Sequence, residues 1–374
     1  MPIISRSTVP CGNWQVNIAQ ASHICRVLEN RHVQRKKNTT ILDVAKRAGV
    51  SKMTVSRVLN NEFVVKPSTR ERIYSAMEAL NYRPNGLARS LAGGQSIYVG
   101  MLYTNPSYFY LSELLFGALQ ACRERGHHVL VDEAYTMADL ADPNYITKRF
   151  FETGVHAVML APPLSEIDEV VSNIERSGID LVCIGVEDQG RRSCVSMDDK
   201  AASLELTQHL VDLGHRDIAI IHGPPDHKRA SKERLEGFRR AMSKSGLAIN
   251  EKHVAGGDFT MLSGMAAARK VLDQKDRPTA IFACNDDMAI GAIHAAYQFG
   301  LRIPDDISIV GFDDIAMATS IWPPLTTVRQ PIRQMAIAAI DLLEKQRNGV
   351  EQESRNVILD YEIVVRQSSA PPLR

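Results

Sequence analysis

Lys52, Met53, Ser56 and Arg57 alternate along the chain with Val55, Val58 and Leu59. At about 100° per residue the apolar residues share one side of a helix and the other four face away from it. Two cations, a hydroxyl and a flexible thioether on one outward face are the groups that contacts to nucleic acid require. Arg57 is of the type that donates two hydrogen bonds to guanine, Lys52 reaches other base edges, and Met53 offers apolar contact to a thymine methyl. Thr54, Ser56 and Asn60 are placed to hold phosphates rather than to read sequence.

A second polar set lies in three loops that follow or interrupt apolar runs. It comprises Arg234 within 231–238, Asn285-Asp286-Asp287 after Ala283-Cys284, and Asp313-Asp314 after Gly311-Phe312. Each has an ordinary explanation, the acids as helix caps and Arg234 as a solvated charge. Together at strand ends they suit a polyhydroxyl ligand, because carboxylates and a guanidinium form paired hydrogen bonds with vicinal hydroxyls. Catalytic constellations do not emerge. The sequence has no glycine-rich phosphate loop, no GxSxG elbow, no HExxH and no Cys/His pair at nucleophile spacing. His127-His128 falls at a helix-to-strand turn and reads as a surface pair. The expectation is no catalytic residue, no metal site and no cofactor.

The elements that carry the first set are legible. Ile41, Val44, Ala45 and Ala48 repeat at i, i+3, i+4 and i+7, one apolar face of a short helix. Thr40 and Asp43 form a capping box, Gly49 supplies a left-handed stop, and Ser51 caps the next helix. A third helix follows, with Ser68 and Glu71 as a capping box and Ile73, Ala76, Met77 and Leu80 as its stripe. Three such helices with a tight glycine turn predict a helix-turn-helix. Charge agrees with it: residues 39–94 hold nine Lys and Arg against four acids. Residues 1–38 add a further +5, so the remaining chain is about −9 beneath a formal total of +1. A basic head on an acidic body fits a nucleic-acid module joined to a part that avoids phosphate.

The run 41–45, then Val55-Ser56-Arg57-Val58-Leu59-Asn60, Asn81-Tyr82-Arg83-Pro84-Asn85 and Leu91-Ala92 resembles the lactose-repressor (LacI/GalR) family of bacterial transcriptional regulators. The likeness is specific here and looser to about Val365. It implies a homodimer on a pseudo-palindromic double-stranded operator, controlled by a small carbohydrate-like effector. It also implies a hinge helix over 85–95 with Asn85, Ala88 and Leu91 against DNA, Leu91 wedged into the minor groove. For the effector the resemblance marks Arg234, Asn285, Asp313, Asp199 and Gln330, with Phe259 as an aromatic that stacks on a sugar ring. Ala230 stands where relatives often carry a hydroxyl. The aromatic run 103–110 is left between two roles: Tyr108 and Phe109 as a stacking wall, or the run as packing at a subunit interface.

Beyond Gln95 apolar runs alternate with amphipathic helices. Strands are expected over 96–102, 129–131, 157–160, 181–184, 218–222, 280–283 and 307–310. Helices are expected over 111–125, 145–151, 167–177, 201–213, 235–245, 262–272, 288–299 and 332–347. Such alternation predicts an α/β fold with parallel sheets covered on both faces. So many elements predict two doubly wound lobes, like those of periplasmic binding proteins, with ligand between them at the strand ends. The organisation expected is a 1–38 extension, disordered or an over-called start, a helix-turn-helix domain over 39–84, the 85–95 hinge and a 96–374 effector-binding and dimerisation domain. Six scattered cysteines predict reduced cytosolic thiols. No run of about 18 apolar residues predicts a membrane span. The C-terminus carries no leucine heptads for a tetramer-forming coiled coil. The competing reading is a sugar-binding transport or chemosensory protein with the same lobes, which has no use for a basic helix-turn-helix.

Overall fold

The computed structural model describes residues 39–59, 65–80, 82, 96–103, 107–133, 154–188, 192–224, 228–349 and 355–373. Asn60, Asn85, Ala88, Leu91, the 1–38 extension, the 85–95 hinge and the helix expected over 145–151 lie outside them. The chain divides into two units, Met1–Gly93 and Gly94–Arg374.

In the first unit α1 (Ile41–Ala48) begins at the expected capping box: the Thr40 amide donates to Asp43 Oδ2 at 2.8 Å and the Asp43 amide to Thr40 Oγ1 at 3.4 Å. Gly49 ends it at φ 65°. Its Ala48 carbonyl accepts from Arg72 Nη2 at 2.5 Å, and a Cβ on Gly49 would stand only 3.0 Å from that nitrogen. Two constraints thus meet on one glycine, the left-handed backbone and the guanidinium over it. The Thr54 amide donates to Ser51 Oγ at 3.1 Å and so starts α2 (Lys52–Leu59). The third helix, α3 (Pro67–Ala79), departs from expectation. The Ser68–Glu71 box does not form; Pro67 occupies the first turn and Lys66 caps without a side-chain bond. Proline's fixed φ already suits a helix start, so no side-chain cap is needed. Val44, Ala45, Ala48, Val55, Val58, Ile73 and Ala76 close one core among the three helices.

The second unit opens with β1 (Tyr98–Tyr103), α4 (Tyr108–Arg125), β2 (His128–Glu133), β3 (Ala157–Leu160), α5 (Asp168–Arg176), β4 (Asp180–Ile184) and β5 (Ser193–Ser196). It continues with α6 (Asp199–Asp212), β6 (Ile218–His222), α7 (Lys228–Lys244), β7 (Val254–Gly256), α8 (Met261–Leu272), β8 (Ala280–Ala283), α9 (Asp286–Gln298), β9 (Ser308–Val310) and α10 (Ala316–Ser320). Last come β10 (Thr327–Arg329), α11 (Ile332–Arg347), β11 (Asn356–Ile358) and β12 (Glu362–Val364). One sheet runs β11-β5-β4-β3-β1-β2 and the other β7-β6-β8-β9, both parallel throughout. Strands β3 and β8 are buried along their whole length, as apolar strands covered on both faces must be.

The two lobes repeat one winding, second strand, first, third, fourth. Strand order therefore reverses between β1 and β3 and again between β6 and β8, leaving a crevice at the carboxyl ends of those strands. The chain passes between lobes three times. It leaves β5 for α6, which packs on α7; it returns from β10 to α11, which packs on α4 and β4; and it leaves β11 for β12. The apolar strands and helix α11 follow the sequence expectation closely. The short strands β5, β7, β10, β11 and β12 fall outside the sequence expectation, because runs of three or four residues are too short to show a readable period.

Candidate functional site

Helix α2 turns Lys52, Met53 and Arg57 outward, with Met53 65% exposed, while Val55 and Val58 are sealed beneath them. Thr54 and Ser56 are half-buried at the margins. Thr54 Oγ1 shares a 2.8 Å hydrogen bond with Ser51 Oγ, so this hydroxyl already helps to start the helix. The face is a shallow convex one with cations beside an exposed thioether, a shape suited to lying in a groove rather than enclosing a small molecule.

The enclosed site lies in the second unit. A cavity of about 550 Å³, mouth included, is lined by residues that follow strand ends: Ser107 and Tyr110 after β1, Pro162 after β3 and Gly185 after β4. From the other lobe come Ala230 and Arg234 after β6, Phe259 after β7, Asn285 after β8 and Asp313 after β9. Asp199, Gln330 and Met335 join it from the crossovers. Asp199, Arg234, Phe259, Asn285, Asp313 and Gln330, expected from sequence to serve one ligand, are thus brought together.

Arg234 organises the centre. It is buried, donates Nε to Asp199 Oδ1 at 2.7 Å and Nη1 to the Cys284 carbonyl at 2.5 Å, and stands 3.7 Å from Asp313 Oδ1. Its guanidinium covers the Phe312 ring at 3.8 Å. Burial disfavours its charge, but the Asp199 and Asp313 carboxylates outweigh burial and hold it firmly protonated. Asp313 Oδ1 accepts from Gln330 Nε2 at 2.5 Å. Burial pushes the Asp313 carboxyl well above the carboxylate range; Arg234 opposes that rise, and Asp286 and Asp287 add to it. Asn285 does both jobs open to it: Oδ1 accepts from the Met288 amide at 2.9 Å, capping α9, and Nδ2 donates to the Phe259 carbonyl at 2.9 Å.

Phe259 and Asp313 hold positive φ, 65° and 131°, where side chains cost conformational energy. At Phe259 the ring presses on Gly223: a Cβ there would come within 2.1 Å of its Cζ. The other acids of the loops are braces. Asp286 is fully buried, accepts from the Ile315 amide at 2.9 Å and from Thr327 Oγ1 at 2.6 Å, and burial raises its carboxyl to about 7. Asp314 accepts from Arg329 Nε at 2.7 Å and is 2.6 Å from Arg366. Burial lifts the Cys284 thiol to about 12, so no thiolate is available for nucleophilic chemistry.

Two residues expected at the site are elsewhere. Tyr108 is 77% exposed and Phe109 is exposed too, while Tyr110 turns into the cavity. Helix α4 begins at Tyr108, not at 111, with Ser107 as its cap. Its inward stripe is therefore Tyr110, Leu114, Ala118 and Ala121, which places 108 and 109 outside. That stripe was readable in the sequence had it been extended one turn back. Ser107 gave no such indication; its Oγ donates to Asp287 Oδ2 at 2.7 Å across the crevice, a contact made only by the fold. His127 also differs from a surface residue: its side chain is largely buried, Nδ1 accepts from the Ile97 amide at 3.3 Å, and burial lowers its pKa.

A helix-turn-helix with an outward cationic helix, joined in sequence to a two-lobed core with a polar crevice, defines a regulator of the ligand-responsive DNA-binding kind. Comparison with known proteins gives the same class. Residues 40–85 match the profile described as bacterial regulatory proteins, lacI family, and residues 207–369 match the periplasmic binding protein-like domain. Catabolite control protein A of Priestia megaterium is 32% identical over 333 residues, 89% of this chain and 99% of that protein. The lac repressor dimer bound to operator and the anti-inducer ONPF superposes with a TM-score of 0.68 at 29% identity, covering 89% of this chain and all of that one. The transcriptional regulator CelR–cellobiose complex gives 0.67 at 30% identity, covering 88% and 100%. The chain belongs to the lacI family of bacterial regulatory proteins, and it is a DNA-binding transcriptional regulator. The relatives are transcriptional regulators rather than enzymes, and among the described residues no helix is long and apolar enough to cross a membrane.

Proposed function

We propose that this chain is a cytoplasmic homodimeric repressor whose operator affinity is set by a small carbohydrate-like effector in the crevice around Arg234. In this reading Lys52, Met53 and Arg57 read base edges in the major groove, and Thr54, Ser56 and Asn60 fix phosphates. Asn85, Ala88 and Leu91 belong to a hinge over 85–95, between a DNA-binding domain over 39–84 and a core over 96–374. Asp199, Arg234, Phe259, Asn285, Asp313 and Gln330 hold the effector, with Tyr110 replacing Tyr108 and Phe109. The observation that carries the reading is the buried Arg234–Asp199 pair at the reversal of both sheets, in one chain with the exposed cations of α2. Exposed Tyr108, Phe116 and Leu119 on α4, and Leu262, Tyr297 and Trp322 in the other lobe, supply apolar surface for self-association. Effector occupancy shifts the lobes between two arrangements and with them the spacing of the reading heads; such coupling amounts to about 1–3 kcal/mol in general.

Fluorescence anisotropy with duplexes from the protein's own promoter region, at low salt and with and without sugars, tests this. Tight binding to a pseudo-palindromic site, changed at least fivefold by one sugar, is the expected result. No preference for any duplex over random DNA would end the proposal.

A further inference from the structure

Strand β1 opens the second unit at Tyr98, just after the 85–95 segment that follows the DNA-binding domain in sequence. Its neighbours begin at His128 and Ala157. The Ile97 and Tyr98 carbonyls accept from the His128 and His156 amides, both at 2.9 Å. The amides of the same two residues are answered by imidazoles instead of strand carbonyls. Ile97 donates to His127 Nδ1 at 3.3 Å and Tyr98 to His156 Nδ1 at 3.2 Å. Ser96 Oγ donates to the Gly126 carbonyl at 2.8 Å, so three consecutive residues are tied down where the chain enters the core. A ring nitrogen that accepts carries no proton, and both rings must therefore be neutral Nε2–H tautomers. An imidazolium would set N–H against N–H at both places.

The surroundings favour the neutral rings. Burial lowers the His127 pKa; Glu344, 3.9 Å from its Nε2, opposes that, and Arg125 and His128 add to it. Arg125 is itself held by Asp341, Glu344 and Glu124. His156 stacks on the Tyr98 ring at 5.7 Å between centroids, and its pKa is lowered by burial and then by Arg347, which stands 3.7 Å from Asp180. With both values below the ordinary 6.5, the stability that these two bonds supply is complete above about pH 6.5 and is lost as pH falls below it. We propose that His127 and His156 form a proton-operated joint at the entry to the core, which holds Ile97 and Tyr98 when neutral, releases them in acid and thereby weakens operator binding. A released entry must be ordered again when DNA is bound, so acid reduces the population competent to bind. This last consequence rests on the repressor reading above; the joint itself does not.

The test compares the full chain with the double variant His127→Asn, His156→Asn, because an Asn Oδ1 stands about where Nδ1 does and accepts without titrating. Hydrogen exchange is read by mass spectrometry on peptides spanning 96–102, normalised to the intrinsic rate at each pH. Between pH 7.5 and pH 5.0 wild-type protection is expected to fall about tenfold, and that of the variant to stay within about twofold. Equal behaviour of the two proteins overturns the joint. Imidazole nitrogen spectra of the wild type need no variant; an Nδ1–H tautomer at either ring at pH 7.5 also overturns it. Anisotropy on the operator duplex, at the same two pH values, should show wild-type affinity falling at least threefold more than that of the variant. A parallel fall in both, with the exchange difference present, overturns the regulatory consequence. Failure to prefer any duplex at pH 7.5 instead ends the repressor reading, and exchange still decides the joint.

Discussion

Arg57 and Arg234 carry the same guanidinium into opposite settings. Arg57 stands exposed on α2, where water reaches it and its value lies in what it does to a partner. Arg234 is buried beneath Asp199, Asp313 and Phe312, where every donor must be answered by the protein or a ligand. The comparison separates two ways of making a site. The convex face is prepared by holding side chains exposed to solvent on a three-helix core. The crevice is prepared by engaging Arg234, Asn285 and Gln330 with one another's neighbours while part of their hydrogen-bonding capacity stays open.

The sharpest way to break this contrast is Arg234→Ala. Asp199 would lose its buried counterion, and the core should lose about 3–5 kcal/mol of stability. Denaturant melts of the full chain would show it, with the effector response abolished; a loss below about 1 kcal/mol would mean the pair is not desolvated. Arg57→Ala should leave that melt within about 0.5 kcal/mol. It should cost about 1–3 kcal/mol at one base of each half-site, measured by anisotropy on operator variants. Equal loss on every sequence would reduce Arg57 to a phosphate contact. Gly49→Ala tests the rigidity behind the convex face. With φ at 65° and Arg72 overhead, it should destabilise the helix-turn-helix by about 1–2 kcal/mol, seen in its thermal unfolding.

Asp286→Asn tests the crevice's brace through pH. The folded carboxyl titrates near 7 and an ordinary Asp near 3.8, so between those values the native chain keeps a proton that the unfolded chain has released. This group's contribution is therefore full below about pH 4 and falls as pH rises through 7, by at most about 1.4 kcal/mol per unit. The variant keeps the acceptor for Ile315 and offers a donor to Thr327 without that slope. Wild type should lose ground to it between pH 5 and 7.5 in paired melts. Parallel curves would show that Asp286 is ionised in the native state.

Among the described residues, the sequence by itself determined the three helices of the helix-turn-helix almost completely. Capping, the glycine stop and the apolar period are local, each set within a few residues, and only the start of α3 was misassigned, because Pro67 makes its own helix origin. Periodicity also located the apolar strands and most of the described helices between them, but α4 and α7 begin at Tyr108 and Lys228 rather than at the expected 111 and 235. The tertiary structure alone decided which polar loops face one another, since Asp199, Arg234, Asp313 and Gln330 stand on separate segments up to about 130 residues apart that only the folded core brings into one cavity. It alone decided that Tyr110, not Tyr108 or Phe109, enters the crevice, because the phase of α4 depends on where Ser107 caps it. Partnering separates ligand-facing acids from braces such as Asp286 and Asp314, and partnering depends on contacts between distant segments. Residue type does not encode it.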